Sequence, residues 1–132
     1  MNQFGVAAVN AAILLQQNAT PYAECAWNRA IGGTNFKSST REKVCPREAF
    51  IGLAQSGCIL GVAPIPSSTM GLNALYAIVG AGLLRNGNAP RPSRKGEARR
   101  LWSQVLKVLG IKKKSYNSQM NVVLALWDAN LI

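Results

Sequence analysis

Catalysis needs groups that can move a proton, attack an electrophile or hold a metal, and this chain of 132 residues carries few of them. It has no histidine, so the commonest general base and the commonest metal ligand are both missing. The five acids, Glu24, Glu42, Glu48, Glu97 and Asp128, lie far apart, and no pair has the helical or strand spacing that would set two carboxylates side by side. No HExxH, GxSxG, phosphate-loop or dinucleotide glycine pattern occurs. Cys45 is the one position with nucleophilic promise, because Cys45-Pro46-Arg47-Glu48 has the form of a helix start, where a thiol pKa can fall. No base or orienting residue accompanies it, and the simpler reading is a cysteine standing in for serine at a cap. Cys25 and Cys58 read as small core residues. An enzyme would require a pocket built from Tyr22, Glu42, Cys45 or Glu48, and no constellation supports one. The sequence therefore assigns no catalytic residue, metal ligand or cofactor site, and we expect a non-enzymatic protein.

The strong signal is charge. Fifteen Lys and Arg face five Asp and Glu, and ten of the cations fall within residues 85–114, where Glu97 is the only acid. That segment carries +9 of the net +10. Arg91, Arg94, Lys95, Arg99, Arg100 and Lys107 would line one face of a helix and its entrance, with Lys112, Lys113 and Lys114 near the far end, making a stripe able to follow phosphates. The expected partner is a nucleic acid, DNA or RNA, bound with weak sequence specificity. The bland alternative is a solvated face that keeps an apolar protein soluble. A partner of another class is an acidic protein surface, which would make the chain a small interaction module or inhibitor of phage or mobile-element type. Tyr116 is the nearby aromatic left for base stacking if Trp102 belongs to the core. Gly32 to Val44 and Gly110 to Asn117 are too long for the tight turn of a helix-turn-helix, which points away from major-groove reading.

The elements that must position these residues are helical. Phe4, Ala7, Ala8, Ala11, Leu14 and Leu15 follow helical spacing over residues 3–17. Thr20 with Pro21 reads as the cap and first turn of a second helix, with Tyr22, Ala23, Ala26, Trp27, Ala30 and Ile31 inward. Residues 34–44 form a polar loop with room for one helical turn. The Cys45-Pro46 helix closes at Gly57, and 60–71 is a connector. The charge-free run 70–84, introduced by Ser67, Ser68 and Thr69 as caps, is too short for a bilayer and reads as a central buried helix. Within it Gly80-Ala81-Gly82 marks a place where another helix comes close. Residues 88–95, with two prolines and three cations, read as a mobile loop. Ala98, Leu101, Trp102, Val105, Leu106 and Leu109 define an amphipathic helix closed by Gly110, and Ser118 caps a last helix with Met120, Val123, Leu124 and Trp127 inward.

The two halves match. Leu14, Leu15 and Pro21 align with Leu83, Leu84 and Pro90 at an offset of 69, and Trp27 and Ile31 with Trp102 and Leu106 at 75. Cys45, Phe50, Leu53, Gly57 and Ile59 align with Ser118, Val123, Leu126, Asn130 and Ile132 at 73. The expected fold is all-α: one domain over 1–132, with six helices as two pseudo-repeated three-helix units (about 3–59 and 72–132) sharing one core. KSSTREKVCPREAFIGLAQSG (37–57) and SQMNVVLALWDANLI (118–132) resemble the signature segments of a family of small uncharacterised bacterial all-helical proteins. That resemblance implies the helical fold and transfers no catalytic residue. Three cysteines without a CxxC pair, no basic leader before Arg29 and no spanning segment together predict a cytoplasmic protein without a membrane partner.

Overall fold

The computed structural model describes residues 2–65, 70–87 and 96–132. Among them are six long helices, one short helical turn and no strand: α1 (Gln3–Gln16), α2 (Ala23–Gly32), the turn α3 (Ser38–Arg41), α4 (Val44–Gln55), α5 (Leu72–Arg85), α6 (Glu97–Leu109) and α7 (Gln119–Asp128). The all-helical expectation holds, including the single turn within 34–44.

Helix α1 begins because Asn2 caps it, its Oδ1 accepting from the Gly5 amide at 2.9 Å. Its inner face is built from alanine, with Ala7, Ala8, Ala11 and Ala12 fully buried, so α2 and α7 can both lie against it. Asn18 then takes a positive φ of 55°, and the Ala19 amide returns to the Leu14 carbonyl at 3.0 Å. That reversal uses up the segment expected to launch α2. Thr20 is buried rather than acting as a cap, Tyr22 holds the cap position, and the Tyr22 side chain is 59% exposed rather than inward. Similarly, α4 has Lys43 at its cap position, so Cys45 lies inside the first turn with Pro46.

Helices α4 and α7 end alike. Gly57 and Asn130 adopt positive φ of 81° and 57°, the Cys58 amide donates to the Leu53 carbonyl at 2.9 Å, and the Leu131 amide donates to the Leu126 carbonyl at 2.9 Å. The two ends meet where the Leu60 amide donates to the Leu131 carbonyl at 2.8 Å.

Helix α5 starts two residues later than expected, behind Gly71, while the expected caps Ser67, Ser68 and Thr69 lie outside the described residues, as do 88–95. It packs most extensively on α4, and the crossing is tight: a Cβ on Gly52 would stand 2.2 Å from the Ala74 Cβ. A Cβ on Gly80 would stand 2.9 Å from the Met120 sulfur, whereas one on Gly82 would meet nothing within 4 Å. Of the Gly80-Ala81-Gly82 triplet, Gly80 alone marks a close approach.

Trp27 pairs with Phe50 at 5.5 Å between ring centres, and Tyr76 meets Trp102 edge-on at 5.1 Å, within one cluster that draws on all six long helices. One polar chain threads the packing. The Asn73 amide donates to Glu48 Oε2 at 3.1 Å, the Gln119 amide donates to Asn73 Oδ1 at 3.1 Å, and Gln119 Oε1 accepts from the Asn117 amide at 2.8 Å. The start of α7 is capped by Tyr116, whose hydroxyl accepts from the Asn121 amide at 2.9 Å; Ser118 sits at positive φ, and its hydroxyl makes no capping bond.

Candidate nucleic-acid interface

Helix α6 turns Leu101, Trp102, Val105 and Leu106 into the core, which leaves Arg99, Arg100, Ser103 and Lys107 exposed on its outer side. Seven residues of α-helix, about 10 Å, separate Arg100 from Lys107 on nearly the same face. Left-handed Gly110, with φ of 69°, stops the helix and lets the chain reverse. The loop 111–117 then runs back along the helix: the indole Nε1 of Trp102 donates to the Lys114 carbonyl at 3.1 Å. Lys112, Lys113 and Lys114 are all exposed, and Lys114 lies beside the first half of α6 instead of near its far end.

Tyr116 locks this arrangement. Its ring centre is 5.5 Å from that of Trp102 and 5.6 Å from the guanidinium carbon of Arg99, and its hydroxyl bonds to Asn121 Oδ1 while accepting from the Asn121 amide at 2.9 Å. Burial pushes the Tyr116 phenol well above its ordinary pKa, outweighing the opposing bonds from the Asn121 and Met120 backbone and the charge of Arg99. Tyr116 is therefore a packed strut, and the expectation that it is free for base stacking is not met. Arg91, Arg94 and Lys95, also expected on this face, lie outside the described residues. Six of the nine expected cations, Arg99, Arg100, Lys107, Lys112, Lys113 and Lys114, are exposed on α6 and the loop that follows it.

The cysteines are free thiols: Cys45 is half-buried, Cys58 buried, and Cys25 exposed rather than in the core. Among the described residues no group of three or more Cys, Asp or Glu side chains is placed to hold a metal ion, and no helix is long and apolar enough to cross a membrane.

Sequence spacing missed a second feature. Glu24 from α2 and Arg47, Glu48, Ile51, Gly52 and Gln55 from α4 line an open cleft of about 460 Å³, completed by Met70, Gly71 and Ala74. Tertiary packing of α2 on α4 gathers the two carboxylates, 24 residues apart in the chain.

Fold and surface together define a small all-helical protein with a cationic helix-and-loop face. The chain belongs to the DUF6979 family, a family of unknown function whose model matches residues 1–132. No match was found among curated proteins or among solved structures.

Proposed function

We propose that the protein binds nucleic acid through the face formed by α6 and the loop 111–117, with Arg91, Arg94 and Lys95 as further phosphate contacts. The observation that supports this reading is the return of the loop along α6, where the Trp102 indole holds the Lys114 carbonyl while Lys112, Lys113 and Lys114 stay exposed. Six exposed cations on α6 and the loop that follows it suit a run of phosphates. Tyr116 and Trp102 are committed to packing, so the face offers charge without a stacking platform, and a duplex backbone fits it better than a single strand. Val108, 57% exposed beside Lys107, favours the competing partner, an acidic protein surface. Three free cysteines suit a reducing cytoplasm as the place of action.

The face belongs to the second of two duplicated halves in this reading. The duplication is supported by the matched closures at Gly57 and Asn130 and by the pairing of helices, α4 on α5 and α1 on α7, with α4 against α7 between them. Any function that uses the cations is asymmetric even where the fold is not.

The test is fluorescence anisotropy of nuclease-treated protein with generic duplex and single-stranded DNA and RNA across a salt series. With all six cations engaged, log K should fall with log salt at a slope of about −5 on duplex DNA. Changing Arg100, Lys107, Lys112 and Lys113 to Gln should flatten the slope by about one unit for each phosphate no longer neutralised, in a variant whose stability stays within about 0.5 kcal/mol. Binding that is absent at low salt, or unaffected in the folded variant, refutes the reading; capture of one acidic protein by the same face would replace it.

A further inference from the structure

The cleft between α2, α4 and the start of α5 holds two of the chain's five acids in a molecule of net charge +10. Along α4 its wall reads Glu48, Ile51, Gly52, Gln55, which at helical spacing is a stripe with a carboxylate at one end, an apolar middle and an amide at the other. Gln55 Nε2 holds Glu24 Oε1 at 3.2 Å, so Glu24 sits at the amide end. Asn73 Nδ2 holds Glu48 Oε2 at 3.1 Å at the opposite end. The second oxygen of each carboxylate takes no part in these bonds. Seven residues of helical rise, about 10 Å, separate Glu48 from Gln55, the residue that holds Glu24. Ile51, Ala74 and Met70 supply the surface between them, and Arg47 lines the same cleft, leaving its three charges at a net of −1.

The other half shows what such a space accepts. At the same offsets of 75 and 73, Glu24 corresponds to Arg99 and Glu48 to Asn121. There Tyr116 bridges the two, its ring against Arg99 and its hydroxyl on Asn121. The residue corresponding to Tyr116 is Lys43, which is exposed and outside the cleft lining. Trp102 Nε1 has the Lys114 carbonyl as its acceptor, whereas the buried Trp27 Nε1 has none. A position that the chain fills with its own side chain in one half is open in the other, and its polar ends are now both anionic.

We infer that the cleft binds a linear aliphatic diamine, one ammonium on Glu24, the other on Glu48, and the methylene chain over Ile51 and Ala74. The comparison with Tyr116 rests on the proposed duplication; the cleft and its two carboxylates do not. Two charge-assisted contacts at the ends of an apolar trough select length and double charge together.

Isothermal titration calorimetry of the full chain, free of nucleic acid, with putrescine, cadaverine and spermidine, and with butylamine as the single-charge control, tests this. The best diamine should bind about ten-fold or more tightly than butylamine. Glu24→Gln and Glu48→Gln, which keep the acceptors for Gln55 and Asn73, should each bring it down to the butylamine level. Arg47→Gln should tighten it, and Glu42→Gln, an exposed acid outside the cleft, should leave it unchanged. Equal affinity for butylamine and every diamine, no heat from any amine, or an equal loss in Glu42→Gln would overturn the inference. The cleft variants leave the α6 face intact, so failure here is separable from failure of nucleic-acid binding.

Discussion

Placing a single methyl group on Gly52 tests the most extensive helix contact in the molecule. The new Cβ would lie 2.2 Å from the Ala74 Cβ and 2.7 Å from its Cα, both positions on the rigid body of α5. Carbon atoms settle at about 3.5 to 4.0 Å, so α4 and α5 must part by roughly 1.5 Å. Overpacking of that kind costs about 1 to 3 kcal/mol. The same separation stretches the Glu48 to Asn73 bond from 3.1 Å, removing about 1 kcal/mol more. Alanine's better helix propensity returns about 1 kcal/mol. The net loss is about 1 to 3 kcal/mol, or a melting temperature lower by roughly 3 to 12 °C for a chain of this size. Gly82→Ala is the matched control: it lies in α5 with nothing within 4 Å of the added methyl, so only the propensity gain remains and the melting temperature should rise by about 3 °C. Thermal unfolding followed by circular dichroism reads both. If Gly52→Ala is as stable as Gly82→Ala, α4 and α5 do not cross at Gly52 and Ala74, and the account of the α4 and α5 packing fails with it.

Two further outcomes follow from the polar groups. Gln119→Ala removes the partners of the part-buried Asn73 amide oxygen and of the Asn117 amide, and should cost about 1 to 3 kcal/mol in urea unfolding with an unchanged m-value. Tyr116 has a folded-state pKa raised above its ordinary 10.0, so its contribution is fully present below that pH and is lost as pH rises beyond it, when the unfolded chain ionises and the folded one does not. Tyr116→Phe should therefore be less stable at neutral pH, through the lost bonds to Asn121, and should lose stability less steeply above pH 10 in melts across an alkaline series.

The helices were readable because their apolar positions recur at helical spacing, and α6 most clearly, since the side chains it buries are large and its outer residues are charged. Starts were less legible than ends. Gly57, Asn130 and Gly110 announce their closures by residue type, since few residues tolerate positive φ. Thr20, Ser118 and Cys45 look like caps in isolation, yet the chain reversal at Asn18, the hydroxyl of Tyr116 and the placement of Lys43 take those roles. The cationic content of the α6 face was visible as a run of letters; its shape was not, because the return of the loop depends on one indole hydrogen bond and one half-buried tyrosine. The cleft was illegible for a similar reason. Glu24 and Glu48 come to line one cleft only through the packing of α2 on α4, a contact that no local spacing encodes.

The packing of α1 against α7 places a demand on synthesis. More than a hundred residues separate the end of α1 at Gln16 from the start of α7 at Gln119, so at about 5 to 20 residues per second the ribosome completes α1 several seconds or more before its last partner emerges. Helix α2 can cover part of the alanine face at once, but the side facing α7 waits in water. The nascent chain therefore presents an unfinished apolar stripe to whatever stands at the exit tunnel until α7 emerges and covers it.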